Sequence, residues 1–249
     1  MASPTSEELK LLKKFRNIIE DIHLKEDMDS DMELLRWLRA RDYNLLQAEA
    51  MLRKHMQWRI DRNYDKMDSW EECPKFEGLL PQKVLGVDDD NCPILLLLMG
   101  RWNGRKVIQE GAREDCINPQ WKLYKGLKER MKFKKTRDGT PVTQVSIIID
   151  LSNLSMRQAC IPVCGALSEF ARDFEANFPE FLKIMIIINA PWFFSIFFKV
   201  IRPFCSPKTL EKIHILGSNR EEWVPLIRNS FPNLPWPIVY EDKLTKHIV

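Results

Sequence analysis

Residues 184–204 read IMIIINAPWFFSIFFKVIRPF, and the reading of this run decides the fold. A membrane-spanning helix needs about 20 uninterrupted apolar residues, whereas Asn189, Pro191, Ser195, Lys199 and Arg202 interrupt this one. The run therefore divides. Ile184 to Ile188 is a mostly β-branched stretch that suits a fully buried strand, and the extended geometry imposed before Pro191 marks its end. From Trp192 the polar residues Ser195, Lys199 and Arg202 recur at i, i+4 and i+7 and form one stripe on a helix. Trp192, Phe193, Phe194, Phe197, Phe198 and Ile201 belong to the apolar remainder, which is wider than one core-facing side requires. Two readings follow: a central helix of a large core, or a helix with one side on the protein and the other on lipid.

The 249-residue chain is long enough for a sizeable core. MASPTSEELK carries no apolar signal region, so the expected location is cytoplasmic. Six cysteines without a C-x-x-C pair suit reduced thiols. His23, His55, His214 and His247 have no metal-ligand spacing, so no metal is expected. A net charge of +3 gives no footprint for nucleic acid. Between Lys122 and Arg137 eight basic residues face one acid, Glu129. Two readings compete here also: a docked helix with a solvated basic face, or a patch, including Lys132, Lys134 and Lys135, that meets anionic lipid headgroups.

Residues 6 to about 68 carry apolar residues at helical intervals, starting from a Ser-x-x-Leu rather than a capping box; Asn44 is the expected cap of the third helix. From Lys75 onward strands alternate with helices. ILLLLMGR, VSIIID, IMIIIN and IHILG are near-continuous apolar runs, so their sheet is covered on both faces or lines an apolar cavity. Helices are expected near 121–132, 156–177 and 192–202. The fold class is α/β, with a helical region over 1–74 and a mixed-sheet region over 75–249. Phosphate-loop, dinucleotide and nucleophile-elbow motifs are absent, and Asp150 at a strand end has no nameable partner, so no enzyme is expected.

Taken together, LLRWLRARDYNLLQAEAMLRKHMQWR, IIIDLSNLS, NFPEFLKIMIIINAPWFF and IRPFCSPKTLEKIHILGS resemble the CRAL-TRIO family from about residue 30 to 240. The resemblance implies a helical N-terminal tripod, a mixed sheet flooring an apolar cavity, and a movable gate helix, here WFFSIFFKVI. It implies Ile147, Ile149, Ile186 and Ile188 on the floor, a bound phospholipid or other hydrophobic molecule as the one ligand, no cofactor, and transient membrane contact by a monomer. In the phosphatidylinositol-binding members an arginine, a glutamate, a threonine and a lysine meet the headgroup; the matching positions are Arg41, Glu180, Thr209 and Lys212. Two departures accompany them. Asp42 replaces the lysine after the arginine, and Val145 and Ile147 replace the serine and threonine that serve phosphatidylcholine. The implied function is lipid transfer between membranes; the alternative is a non-transferring lipid sensor that signals to a protein partner.

Overall fold

The computed structural model describes residues 3–234; His247 lies outside them. Three helices open the chain: α1 (Ser6–Ile18), α2 (Asp31–Ala40) and α3 (Leu45–Asp61). They close on their own apolar centre, which includes Leu12, Phe15, Leu34, Leu38 and Leu52. Asn44 caps α3 as expected, accepting from the Gln47 amide. At α1 the expectation is corrected: the cap is Thr5, one residue earlier. Thr5 Oγ1 accepts from the Glu8 amide while the Glu8 carboxylate accepts from the Thr5 amide, a full capping box. Glu8 also accepts from Arg39 and from the Tyr43 hydroxyl, both at 2.7 Å. Arg39, with those other donors, outweighs the burial and holds the Glu8 carboxyl down at about 2.

The sheet follows. β1 (Gln82–Val87), β2 (Pro93–Leu97), β3 (Val145–Asp150), β4 (Leu182–Ile188) and β5 (Ile213–Ile215) lie side by side in chain order. β1 is antiparallel to β2 and all other pairs are parallel. Crossovers carry α4 (Gly104–Gln109) and α5 (Glu114–Met131), then α6 (Ile161–Asn177), then α7 (Phe194–Ile201) and α8 (Pro207–Leu210), and α9 (Arg220–Ser230) follows β5. Sequence periodicity misses β1, α4 and α9. Helix α5 begins at Glu114 rather than near 121, running through Pro119, and α6 begins at Ile161 rather than near 156. Where the chain leaves β2, Gly100 allows it to cross the exit of β3, since a Cβ there would stand 2.0 Å from the Ser152 carbonyl oxygen.

Continuous burial of these strands has two causes, one on each face. Ile94, Leu96, Ile148, Ile186 and Ile188 pack on Trp223, Ile227 and Phe231 of the α9 region. Leu95, Leu97, Ile147, Ile149 and Ile187 face α5 and α6 with Trp121, Tyr124 and Phe178. The floor assignment of Ile186 and Ile188 is therefore corrected. Strand side chains alternate, β3 pairs Ile147 with Met185 and Ile149 with Ile187, and so Met185 and Ile187 share the face of Ile147 and Ile149.

The helical region docks on the sheet region through α3 and α6. His55 Nδ1 lies 3.0 Å from Asn177 Oδ1, Trp58 Nε1 donates to Asp173, and Arg62 bonds Glu169 and Asp173. Burial pushes the His55 imidazole down to about 3. Its folded pKa lies below the unfolded value near 6.5, so the unfolded chain binds the extra proton and stability falls as pH drops below about 6.5. Thermal melts between pH 7 and 5 should show that loss at up to about 1.4 kcal/mol per pH unit. His55→Gln should flatten the slope; an unchanged slope would place the titration elsewhere.

Candidate lipid-binding cavity

Between the sheet and its helices lies an apolar cavity. Its floor is Leu97, Ile147, Ile149, Met185 and Ile187, and its walls come from Tyr124 of α5 and Leu167, Phe170 and Phe174 of α6. The roof is α7, through Phe194, Phe197, Phe198 and Ile201. Polar residues in the lining are few: Gln120, Gln158, Glu175 and Thr209. The thiols of Cys116, Cys164 and Cys205 also line it. Burial raises all three, Cys116 and Cys205 to about 11, which keeps them protonated.

The launch of α7 is fixed at its start. Asn189, in the left-handed region at φ 55°, donates from Nδ2 to Asp150 Oδ1 and to Ser152 Oγ, both at 2.9 Å. Asp150 also accepts from the Ser152 amide and hydroxyl. The acid at the end of β3 thus ties two strand exits together. Beyond Pro191 the fastening weakens. The α7 N-cap, Phe193, makes no side-chain capping bond, and no residue of the helix is buried. Few buried contacts and poor capping are the marks of an element that opens at low cost.

Opposite the cavity, α7 presents a second apolar row. Ile196 is 55% exposed and Val200 50%, four apart on one face of the helix, and Trp192 in the turn before it is 78% exposed. Phe193 is instead buried, edge-on to both Trp192 and Phe197. The expected polar stripe is present, with Ser195, Lys199 and Arg202 all exposed. A family model for the CRAL/TRIO domain matches residues 80–232. The chain belongs to the CRAL/TRIO domain family.

Curated relatives agree with that membership. The chain is 29% identical over 221 residues to the SEC14 cytosolic factor of Kluyveromyces lactis, covering 87% of this chain and 73% of that protein. It is 27% identical over 198 residues to a CRAL-TRIO domain-containing protein of Caenorhabditis elegans, covering 79% of this chain and 28% of the relative. The protein real-time of Aedes aegypti is 26% identical over 207 residues, with 83% of this chain and 32% of that protein covered. In the last two cases the chain spans about a third or less of the relative's length. Among solved structures, the crystal structure of Sfh5 shares the fold at a TM-score of 0.74 and 14% identity, over 100% of this chain and 93% of that one.

In this CRAL/TRIO chain a polar cluster forms where α6 and α8 approach each other. Thr209 Oγ1 donates to Glu175 at 2.8 Å, both residues lying in the cavity lining. Lys212 Nζ donates to Glu180 at 3.0 Å, and Glu180 sits in the left-handed region at φ 54°. Three of the four matched headgroup positions, Glu180, Thr209 and Lys212, thus belong to one neighbourhood. Arg41 stands apart from those bonds: it caps α2, and its guanidinium donates to the Ala40 carbonyl. Its turn nonetheless adjoins α8, because Lys208 Nζ donates to the Arg39 carbonyl and to Asp42. Lys208 therefore pairs with Asp42 at the surface. Sequence reading missed Glu175, which no motif singles out within α6.

Part of the basic stretch is paired with acids. Lys125 bonds Asp68, Lys128 bonds Asp27 and Glu33, Lys132 pairs with Glu26 and Arg137 with Asp89. Lys134 and Lys135 are exposed, in the segment leading into β3. That segment enters at the N-terminal ends of the parallel strands, whereas Trp192 leaves from a C-terminal end. Lys132, Lys134 and Lys135 therefore do not border the start of α7. Among the described residues no His, Cys, Asp and Glu cluster could hold a metal ion, and no helix is long and apolar enough to cross a membrane.

Proposed function

We propose that the chain holds one lipid molecule in this cavity and carries it between membranes, with α7 as the gate. The carrying observation is the two-sided character of α7, with Phe194, Phe197, Phe198 and Ile201 toward the cavity and Trp192, Ile196 and Val200 toward solvent. Membership in the CRAL/TRIO domain family and the likeness to a SEC14 cytosolic factor support this reading. Burying an acyl chain contributes about 0.8 kcal/mol per CH₂, so a fitted lipid is held without reaction. Its release requires another apolar surface against the mouth. A bilayer meeting Trp192, Ile196 and Val200 provides that surface as α7 swings out.

The headgroup reading is phosphatidylinositol. Lys212 and Thr209 supply an ammonium and a hydroxyl for the phosphate, and Glu180 an acceptor for inositol hydroxyls. In the closed form Lys212 is occupied by Glu180 and Thr209 by Glu175, so the phosphate exchanges one charged partner of Lys212 for another. Lys212→Ala should cut transfer of labelled phosphatidylinositol by about tenfold or more, the equivalent of one charge-assisted bond of roughly 1.5–3 kcal/mol. Uptake of a neutral apolar probe should be spared. Transfer equal to the parent would remove Lys212 from the headgroup site.

A further inference from the structure

One polar group in the apolar wall has no work in the scheme above. Gln120, on α5, is 4% exposed and lines the cavity, yet its amide Nε2 has no hydrogen-bond partner. One helical turn further on, Tyr124 is 2% exposed and lines the same wall. Burial raises the Tyr124 phenol far above its ordinary pKa, so it remains a neutral donor. Residues four apart share a helix face, so the amide and the phenol stand in one file along the cavity. The Tyr124 ring lies 5.4 Å from that of Phe174, the neighbour of Glu175. Gln120 is therefore roughly 6 Å further along the wall from the polar end.

An amide buried without a partner is costly, and a plain acyl chain against it leaves that cost in place. We infer that Gln120, with Tyr124 beside it, is a latch for an oxygen atom carried on the apolar body of the cargo. The amide suits either kind of oxygen, since turning it end over end exchanges donor for acceptor. The ligand class is a hydrophobic molecule with a neutral hydroxyl or carbonyl group. Two sources share this chemistry: the ester carbonyl of a phospholipid, and the single oxygen function of a neutral apolar molecule. The inference rests on the cavity being a lipid site and adds what that site selects.

The test compares oleyl alcohol with cis-9-octadecene, flexible chains that differ in one hydroxyl, on the full chain and on Gln120→Leu. Competition against a fluorescent fatty-chain probe gives the affinity ratio of the two, and comparing that ratio between proteins cancels the probes' own partitioning. The parent should favour the alcohol by about tenfold more than the variant does, the usual consequence of leaving a buried polar group unpaired. Octadecene should bind the variant equally or more tightly, and the ligand-free variant should melt higher, having lost an unpaired buried amide. Should Gln120→Leu fold poorly, Gln120→Met keeps the length of the side chain and carries the same expectation. A parallel titration with phosphatidylinositol identifies the source: weakening in the variant assigns the ester carbonyl, and no change assigns a neutral cargo. An alcohol preference that survives in both variants overturns the latch while leaving the lipid cavity standing. Failure of the parent to take up any of the three probes overturns the cavity reading itself, and the latch with it.

Discussion

With Ile196 and Val200 both changed to aspartate, the protein should keep its fold and lose lipid exchange between vesicles by tenfold or more. Both side chains are at least half exposed, at 55% and 50%. Surface substitutions of this kind usually stay within about 0.5 kcal/mol, so the melting midpoint should move by only a few degrees. Membrane contact is another matter. Burying an aliphatic side chain contributes about 1.5–3 kcal/mol, and two carboxylates facing an acyl boundary would oppose docking instead. The paired control is Phe194→Asp with Phe198→Asp. Those rings stack on each other at 6.2 Å and line the cavity, so the charges would enter an apolar enclosure at a cost of several kcal/mol. Thermal melts alongside vesicle-to-vesicle transfer separate the two pairs. Full transfer by the Ile196 and Val200 variant would remove the outer face of α7 from the mechanism, and its unfolding would make that face part of the core.

The aromatic helix itself was legible in the sequence, because no other segment is apolar around most of its circumference. Its outward row was not. Phe193, Phe194, Phe197 and Phe198 differ little in hydropathy, and only the position of α6 and the sheet assigns Phe194, Phe197 and Phe198 to the cavity, buries Phe193, and leaves Trp192, Ile196 and Val200 outside. Strand phase failed for the same reason. In LKIMIII every position is apolar after Lys183, so alternation has no contrast that tells the face of Met185 and Ile187 from that of Ile186 and Ile188. β1 was missed through the opposite fault: Lys83 and Gly86 interrupt the apolar pattern, and its ladder with β2 carries an irregularity between Val84 and Gly86. Charge pairing over distance is not legible in the sequence. The partners of Lys125, Lys128, Lys132 and Arg137 lie in the N-terminal region or before β2, where no local pattern connects them. Glu180, Thr209 and Lys212 were singled out by motif resemblance alone; of the three, Thr209 lines the cavity, and Lys212 is paired with Glu180.

The greatest loss of stability from a single substitution is expected at Arg36, which joins the helical region to the turn that carries Glu180. Arg36 is 2% exposed. Its Nε donates to the Pro179 carbonyl at 2.8 Å, its Nη1 contacts both oxygens of Glu33 at 2.9 and 2.7 Å, and its guanidinium lies 5.4 Å from the Phe181 ring centre. Burial pushes the Glu33 carboxyl upward, but the charges of Arg36 and Lys128 outweigh it and hold the group below the usual range. Arg36→Ala strands that carboxylate with Lys128 as its remaining charged partner. Breaking a buried pair from one side costs about 3–5 kcal/mol, which in a chain of this size lowers the melting midpoint by roughly 10 °C. Because the Glu33 pKa is depressed in the fold, its contribution is present above the unfolded carboxylate range and lost as pH falls through it. The Arg36→Ala penalty should accordingly shrink at low pH. Removing both partners should cost less than the sum of the two single changes, since Arg36→Ala with Glu33→Ala leaves no buried charge unpaired. A midpoint shift of only a degree or two for Arg36→Ala would show that the joint is held by packing alone. The functional consequence follows from chain continuity. Pro179 and Phe181 flank Glu180, so loss of their anchor frees the left-handed turn that presents Glu180 to Lys212, and phosphatidylinositol transfer should fall further than uptake of a neutral probe.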